Sequence, residues 1–204
     1  ATCVPATILG QRQVIFFLQS GLLSVDPANG KELWRHPHKY AVSTAASPVV
    51  AGDIVYCSSG YGVGGGAARI SKDGSAWKAT PLYFKEGNKS LANHWSTPVL
   101  HDGHLYGMFQ FKEYGNGPVK CVDIATGDIK WERPGFGPGQ VIFADGCMVA
   151  LADDGRLVLI EATPSGYKEL ASSDVLDGKC WSTPVLANGR IYARSTKEAV
   201  CVEV

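Results

Sequence analysis

A glycine-rich segment is the first feature of this 204-residue chain whose spacing suggests chemistry. Residues 60–65 satisfy the G-x-G-x-x-G pattern of dinucleotide-binding loops. Such a loop binds a pyrophosphate only where a helix follows it, because the helix N-terminus supplies the dipole and the free N–H groups. The residues that follow, 67–70, have the composition of a short strand. We therefore predict an ordinary loop at 58–66 and no dinucleotide site.

Two pairs of closely spaced histidines have the residue type of a metal site. His101 and His104 flank a turn signal at 102–103, so their side chains are expected to face solvent. His36 and His38 flank a proline and are expected to lie in a loop. No cluster of Glu, Asn and Asp suggests a calcium site. The sequence therefore predicts no metal ligands and no catalytic residues.

The cysteines are unlike a disulfide framework in their spacing. No two are adjacent, and the Cys-x-x-Cys-His motif of haem attachment is absent from the sequence. Cys121 and Cys201 fall at the same place in the repeats described below, where a small apolar side chain is expected to be buried. We predict mostly free thiols. The six cysteines are at positions 3, 57, 121, 147, 180 and 201.

Composition excludes several classes of partner. The chain has 19 Lys plus Arg and 19 Asp plus Glu, so its charge favours neither nucleic acid nor an anionic membrane. No apolar run approaches the roughly 18 residues of a membrane-spanning helix, and the given sequence shows no signal-peptide pattern. Hydrophobic residues make up 45%, with 24 Gly and 11 Pro. This combination is typical of a globular, turn-rich, all-β protein.

The elements that would position these residues come from an internal repeat. A phrase of Ser or Thr, Pro, Val and an aliphatic residue, followed by Gly and an aliphatic–aromatic pair, occurs clearly three times and more weakly twice. Its anchors lie at positions 5, 48, 98, 141 and 184, spaced by 43, 50, 43 and 43 residues. We attribute the longer interval to extra residues within 58–94.

Each repeat has the pattern of four short strands. In the third repeat we predict strands at 95–101, 105–111, 119–123 and 129–133. Asp-Gly or Asn-Gly pairs signal tight hairpins between first and second strands, and they occur at 102–103, 145–146 and 188–189. Four strands in about 43 residues are typical of a β-propeller blade, which buries both faces only when neighbours stack on it.

A second recurring motif begins at the end of the third strand and continues into the fourth strand of a repeat. An aspartate ends the third strand, where it can accept backbone N–H bonds, a glycine supplies a positive φ, and a tryptophan follows eight residues after the aspartate. A tryptophan lying flat between adjacent blades contributes roughly 2–3 kcal/mol on burial. The fourth copy has Glu161 and no tryptophan. The two full copies are Asp26, Gly30 and Trp34, and Asp123, Gly127 and Trp131.

These two copies resemble the tryptophan-docking motif of the PQQ-repeat, quinoprotein alcohol dehydrogenase-like β-propellers. The resemblance covers the whole chain and implies an all-β propeller of four-stranded blades. The fifth repeat lacks a fourth strand, so we expect these residues to be the carboxy-terminal part of a larger, seven- or eight-bladed propeller. The alternatives are a small propeller of about five blades, or an open arc that self-associates through its incomplete blade. The predicted blades are 1–38, 39–88, 89–134, 135–174 and 175–204.

Loops on one face of such a propeller are the expected place for ligand binding. The longest are 58–66, 85–94 and 111–118. Aromatic rings beside a few cations in these loops suit a sugar, a peptide or a planar ligand. Alternatively, Trp95 and Trp181 pack the start of an inner strand. The residues predicted for this face are Tyr61, His94, Trp95, Phe109, Lys112, Tyr114, Trp181 and Arg194.

The resemblance implies three alternative functions. The first, which we favour and which needs no cofactor, is a non-catalytic scaffold that binds a protein or small molecule on one face, as in outer-membrane assembly lipoproteins and exported repeat proteins. The second is a PQQ-dependent alcohol or sugar dehydrogenase that uses PQQ with calcium and has its active centre partly outside these residues. The third is the extracellular sensor domain of a larger receptor or kinase. The resemblance also implies a periplasmic or secreted protein.

Overall fold

The computed structural model describes residues 1–109 and 116–204. All regular structure in this part of the chain is β-strand, and it forms five antiparallel sheets in which strands pair with their neighbours along the chain. The predicted all-β class is confirmed. Four sheets have four strands, and the last has three described strands. Within the described ranges no helix is long and apolar enough to cross a membrane.

The first compact unit comprises Ala1–Trp95 and Asp123–Asp128 and contains the first two sheets. The first sheet consists of β1 (Val4–Ile8), β2 (Gln11–Leu18), β3 (Gly21–Val25) and β4 (Glu32–Pro37). The second sheet consists of β5 (Val49–Ala51), β6 (Ile54–Ser59), β7 (Gly64–Asp73) and β8 (Ala76–Glu86).

The second compact unit comprises Ser96–Val122 and Ile129–Val204. The third sheet consists of β9 (Val99–His101), β10 (His104–Met108), β11 (Val119–Asp123) and β12 (Ile129–Arg133). The fourth sheet consists of β13 (Gln140–Ala144), β14 (Cys147–Leu151), β15 (Arg156–Glu161) and β16 (Glu169–Asp174). The fifth sheet consists of β17 (Val185–Ala187), β18 (Arg190–Arg194) and β19 (Ala199–Glu203).

Tight hairpins join the first and second strands of the repeats, as predicted. Asp102 and Gly103 have φ values of 43° and 73°. Positive φ at both central residues is the geometry of a type I′ turn, which matches the twist of the flanking strands. The pairs 145–146 and 188–189 have the same signs of φ. The first strands, however, begin later than predicted, at Val99 and Val185. Each follows a proline, which has no N–H to donate to the ladder.

The loop predicted at 58–66 is shorter than expected. β6 continues to Ser59 and β7 begins at Gly64, so only 60–63 form the turn. The extra residues of this repeat instead lengthen β7 and β8, which pair over the full length of β7. The G-x-G-x-x-G segment therefore covers the turn and the first residues of β7, and it is followed by a strand instead of the helix that a dinucleotide site needs.

Four of the sheets contain a β-bulge at the same place in their third and fourth strands. The residue before each bulge pairs with a residue of the fourth strand that we call the bulge position. An aromatic side chain occupies the bulge position in the first three sheets, and an alanine occupies it in the fourth. The pairs are Ser24 with Trp34, Ala67 with Tyr83, Cys121 with Trp131, and Leu159 with Ala171.

The two tryptophans at the bulge position are buried and hydrogen-bonded. Trp34 is 3% exposed and belongs to a buried cluster that includes Val55 of the second sheet. Its Nε1 donates to Oε1 of Gln13 at 2.8 Å. Trp131 is 8% exposed, and its Nε1 donates to the carbonyl oxygen of Thr163, after β15, at 2.7 Å. Each ring therefore packs against residues of the following sheet's repeat.

Tyr83 occupies the same position and contacts the turn that follows β11. Its hydroxyl donates to the carbonyl oxygen of Ile124 at 3.1 Å. In this turn, Oδ1 of Asp123 accepts the N–H of Ala125 at 2.9 Å, and Gly127 has a φ of 74°. A Cβ added at Gly127 would lie 2.6 Å from Tyr83 Cε2, so both the turn and the ring require glycine there.

All six cysteines lie in the described ranges, and none is in a disulfide. Cys121 is buried, as its place in the repeat predicts, but Cys201 is exposed. The prediction of burial at Cys201 is therefore wrong. The physical reason is that β12 pairs with β11 beside Cys121, whereas β19 is the edge of its sheet among the described residues.

Candidate ligand-binding surface

Three of the residues predicted for the ligand face form one aromatic cluster. Tyr61 lies at the β6–β7 turn with a φ of 58°, a left-handed conformation that is uncommon for a large side chain. Its ring centroid lies 4.8 Å from that of His94, in an edge-on arrangement. The His94 and Trp95 rings are 4.4 Å apart. We call these three residues the Tyr61 cluster, and they place a group of rings in edge-on contact at the surface of the first unit.

Backbone hydrogen bonds hold the turn that carries Tyr61. The N–H of Gly62 donates to Oδ1 of Asn88 at 2.7 Å. The N–H of Gly87 donates to the carbonyl oxygen of Val63 at 3.2 Å. The turn is therefore tied to the segment that follows β8, which leads directly to His94.

A buried loop fixes the other two members of the cluster. Leu91 and Asn93 are fully buried immediately before His94. Ser58 Oγ accepts the N–H of Asn93 and donates to the carbonyl oxygen of Leu91, both at 2.7 Å. The Tyr56 hydroxyl lies 2.8 Å from the same carbonyl oxygen. Polar groups buried with satisfied hydrogen bonds hold a single conformation, so the cluster is rigidly presented.

Gly65 permits this close approach, and its replacement gives a first prediction. A Cβ at Gly65 would lie 2.5 Å from the carbonyl oxygen of Leu91 and 2.6 Å from the Tyr56 hydroxyl. We expect Gly65→Ala to lower the free energy of unfolding by roughly 1–3 kcal/mol, because overpacking displaces the loop. Urea unfolding measures the loss, and limited proteolysis should show new cleavage within 87–95. Gly74→Ala is the control for the new cleavage: its φ of 56° strains an alanine and costs some stability, but the added Cβ meets no atom within 4 Å and does not displace the 87–95 loop. Equal cleavage in both variants would contradict the assignment.

Two other residues predicted for the ligand face are described within the second unit. Trp181 and Arg194 belong to the second unit. The Trp181 carbonyl oxygen accepts Nε2 of Gln140 at 3.1 Å, and Lys179 Nζ lies 5.1 Å from the indole centroid. Arg194 is exposed at the end of β18.

The expectation that Phe109 belongs to a binding face is wrong, because this side chain is completely buried. It follows β10 directly, and its N–H donates to the carbonyl oxygen of Pro118. Sequence alone places it near a loop but does not show which way its side chain turns. Lys112 and Tyr114 lie outside the described residues.

Comparison with known families accounts for the repeats. The family described as outer membrane protein assembly factor BamB matches residues 7–166. The chain belongs to this family. Its members are β-propellers with PQQ-like repeats, so the predicted family is confirmed. No curated protein matches the sequence closely enough to be significant.

Solved structures show the same fold. BamB from Moraxella catarrhalis superposes with a TM-score of 0.65 at 16% identity, over 98% of this chain and 61% of that one. The computationally designed Ika4 protein gives 0.60 at 15% identity, over 86% of this chain and 99% of that one. A europium-containing methanol dehydrogenase gives 0.60 at 12% identity, over 90% of this chain and 50% of that one. The chain thus spans less than two thirds of the BamB it resembles.

The resemblance to PQQ-dependent dehydrogenases implies a calcium ion, and the donor groups of the described residues do not fit this metal. Calcium takes six to eight oxygen ligands, largely from carboxylates. Across 1–109 and 116–204, His, Cys, Asp and Glu side chains form no group of three or more that could hold a metal ion. We therefore derive no redox step from these residues.

The sequence analysis missed a contact between a buried cysteine and a partly buried histidine. Cys57 Sγ lies 3.3 Å from Nδ1 of His38. Burial raises the pKa of the Cys57 thiol far above its usual value. Burial, with a smaller contribution from His36, lowers the pKa of His38 to about 4. A nucleophilic cysteine needs a stabilised thiolate, so this neutral pair is structural.

The expectation that His36 lies in a loop is wrong. β4 includes His36, which is buried two residues after Trp34. Alternate residues of a strand share a face, so the buried Trp34 predicts a buried His36 once the strand is extended through it. The alternation of Trp34 and His36 was visible in the sequence, but Pro37 suggested that the strand ends before His36, whereas β4 includes both residues.

Proposed function

We propose that the chain is a non-catalytic scaffold that binds extended polypeptide segments. The observation that carries the proposal is the Tyr61 cluster, whose rings are held at the surface by buried, hydrogen-bonded backbone. Membership of a family described as an outer membrane protein assembly factor supports a polypeptide as the ligand. An assembly factor must contact other proteins, and aromatic anchors are the side chains that most often dominate such contacts.

The physical case rests on preorganisation. Tyrosine and tryptophan bury a large area while losing little side-chain entropy, since each has only two side-chain torsions. Tyr61 is 37% exposed, and Trp95 is partly exposed, so both rings can still lose solvent-accessible area on binding. Their loop is ordered before the ligand arrives, which lowers the entropic cost of association.

Trp34 and Trp131 have a supporting role in this proposal. Each indole packs against the repeat that follows its own sheet and keeps neighbouring sheets in a fixed relation within its unit. We propose that this contact serves the tryptophan-docking role that the sequence motif predicts. A scaffold of this type acts by holding its surface loops in place.

The proposed location is the periplasm or the extracellular space. The family description refers to outer membrane proteins, and a scaffold that assists their assembly must reach them outside the cytoplasm. Detection of the native protein in a periplasmic fraction tests this location, and its confinement to the cytoplasmic fraction would contradict it.

Fluorescence anisotropy with labelled peptides tests the binding function. The probe is an extended peptide with alternating apolar and polar residues, the pattern of outer-membrane β-strands. We expect saturable binding that weakens roughly tenfold or more in a Tyr61→Ala, Trp95→Ala double variant, because truncating an aromatic anchor typically costs over about 1 kcal/mol. Tyr192→Ala, at an aromatic side chain 44% exposed on β18, is the matched control. Absence of binding, or equal weakening in the control, would refute the proposal.

The similarity to a methanol dehydrogenase favours one alternative function, PQQ-dependent oxidation. Absorbance titration with PQQ and calcium separates the two. Saturable binding with turnover of an alcohol would favour the dehydrogenase. We expect no saturable change, because no three His, Cys, Asp or Glu side chains among the described residues form a group that could hold a metal ion.

A further inference from the structure

The bulge position in the fourth sheet lacks the ring that the other sheets place there. In the first three sheets it carries Trp34, Tyr83 and Trp131, and in the fourth it carries Ala171. The equivalence rests on ladder register: in each sheet the residue pairs with the last third-strand residue before the bulge. Ala171 therefore occupies the place of an aromatic side chain and is itself exposed.

The third and fourth sheets show what such a ring fills. Trp131 packs into a buried cluster with Tyr106, Cys121 and Val158, and its N–H is bonded to the carbonyl oxygen of Thr163. Tyr167 lies against the indole with its ring centroid 5.7 Å away. The ring thus closes the space between the outer face of the third sheet and the repeat that follows.

A cleft lies at the corresponding place between the fourth and fifth sheets. Its volume is about 370 Å³, and Ala171 lines it together with Leu159, which pairs with Ala171 across the strands. Leu186 and Ile191 of the fifth sheet form the opposite wall. The walls are largely apolar, and Asp145 and Ser172 are also lining residues. The Ser172 hydroxyl donates to Oε1 of Glu169 at 2.7 Å.

We propose that this cleft is a binding site for an indole-sized planar aromatic ring. Its volume falls within the range of small-ligand pockets, and even a smaller apolar cavity binds an aromatic molecule. The side chains that occupy the equivalent position in three other sheets define the chemistry of the ligand, which is a flat aromatic ring of the size of an indole or a phenol. The site is separate from the Tyr61 cluster, and the inference does not depend on the proposed peptide binding.

Alkylation of Cys147 provides the first test. Cys147 lines the cleft and is partly exposed, whereas Cys3 is exposed and is not among the lining residues. Iodoacetamide labelling is followed at each cysteine by mass spectrometry, with indole as the probe. At ten times its Kd, indole should slow labelling of Cys147 about tenfold, because about one cleft in eleven is then open. The rate at Cys3 should not change. Equal rates at Cys147 with and without indole would overturn the proposal.

Filling the cleft provides the second test. Ala171→Trp should restore the side chain found in the third sheet, abolish indole protection of Cys147 and raise the urea midpoint of unfolding. Leu170→Trp is the matched control, since it adds the same ring one residue away, at a position that does not line the cleft. It should leave indole protection intact. Retained protection in a folded Ala171→Trp protein would overturn the proposal.

A comparison of two probes identifies the source of the ring. Free indole and N-acetyl-tryptophanamide carry the same ring, but only the second has the backbone of a protein side chain. Protection by indole alone would assign the cleft to a free small molecule, and protection by both would allow a tryptophan of a polypeptide. The same test applies to a longer natural protein that contains these residues. If neither probe protected Cys147 in that protein, the cleft would be filled by the protein's own chain and the proposal would fail.

Discussion

Replacement of Trp131 by alanine is expected to lower the free energy of unfolding by about 3–5 kcal/mol, the usual cost of emptying a buried aromatic site. The ring is 8% exposed and its centroid lies 6.1 Å from that of Tyr106. The same change also leaves the carbonyl oxygen of Thr163 without the indole N–H. Trp34→Ala should have an effect of similar size, because Trp34 is 3% exposed and bonded to Gln13.

Urea unfolding followed by circular dichroism measures both losses without depending on tryptophan fluorescence. Trp77→Ala is a suitable control, because Trp77 is only partly buried beside the cluster that contains Trp34 and Val55. Lys72 Nζ lies 4.9 Å from the centroid of the Trp77 ring. Trp77→Ala should lower the free energy of unfolding clearly less than Trp131→Ala or Trp34→Ala. Losses below about 1 kcal/mol for Trp131 and Trp34 would show that these rings do not fill the space between sheets.

The second large effect is a loss of stability in mild acid. The pKa of His38 is lowered to about 4 in the folded chain, mainly by burial, against 6.5 for an ordinary histidine. A pKa that is depressed on folding contributes stability above the unfolded value and loses it as the pH falls towards the folded value. We therefore expect up to about 3 kcal/mol to be lost between pH 7 and pH 4. Burial of His36 lowers its pKa as well and acts in the same direction.

Urea unfolding at a series of pH values tests this prediction. His38→Phe is the informative variant, because the ring lies edge-on to Phe17 and Phe84 at 5.2 and 5.4 Å and a phenyl group can keep both contacts. Subtracting the variant's pH profile from that of the original chain removes the contribution of carboxylates such as Glu169, whose pKa is lowered chiefly by its hydrogen bond from Tyr167. A difference that does not change between pH 7 and pH 4 would rule out His38 as the cause.

The repeat explains how much of the fold could be predicted from the sequence. A phrase that recurs at 43-residue intervals fixes where strands and hairpins lie, and an Asp-Gly pair dictates its own turn geometry. The strands 119–123 and 129–133 were predicted with the bounds they have. The first strands at Val99 and Val185 were predicted to begin too early. The alternation of side chains continues through the preceding proline, but proline has no N–H for the ladder, so the strand begins after it.

The candidate site was harder to predict, because its geometry depends on contacts between distant segments. Tyr61 and His94 are 33 positions apart and meet because Ser58 binds the backbone of Leu91 and Asn93. Tyr83 was missed as the equivalent of Trp131 because the residue eight positions before it is Ser75, whereas Asp123 lies eight positions before Trp131. The equivalence is seen only from the strand pairing at the bulge. The same pairing in the fourth sheet shows that Ala171 stands where the other sheets have a ring, beside the cleft.

The pairing of each strand with its chain neighbour has a consequence for the order of folding during synthesis. The first sheet closes within residues 4–37, and the second begins only at residue 49. Short loops close quickly and at low entropic cost. Each sheet can therefore pair its strands soon after its own residues leave the ribosome, but it is covered only when the next sheet packs on it. Nascent chains stalled at successive lengths should gain protease resistance in steps, each when a newly completed repeat covers the sheet before it.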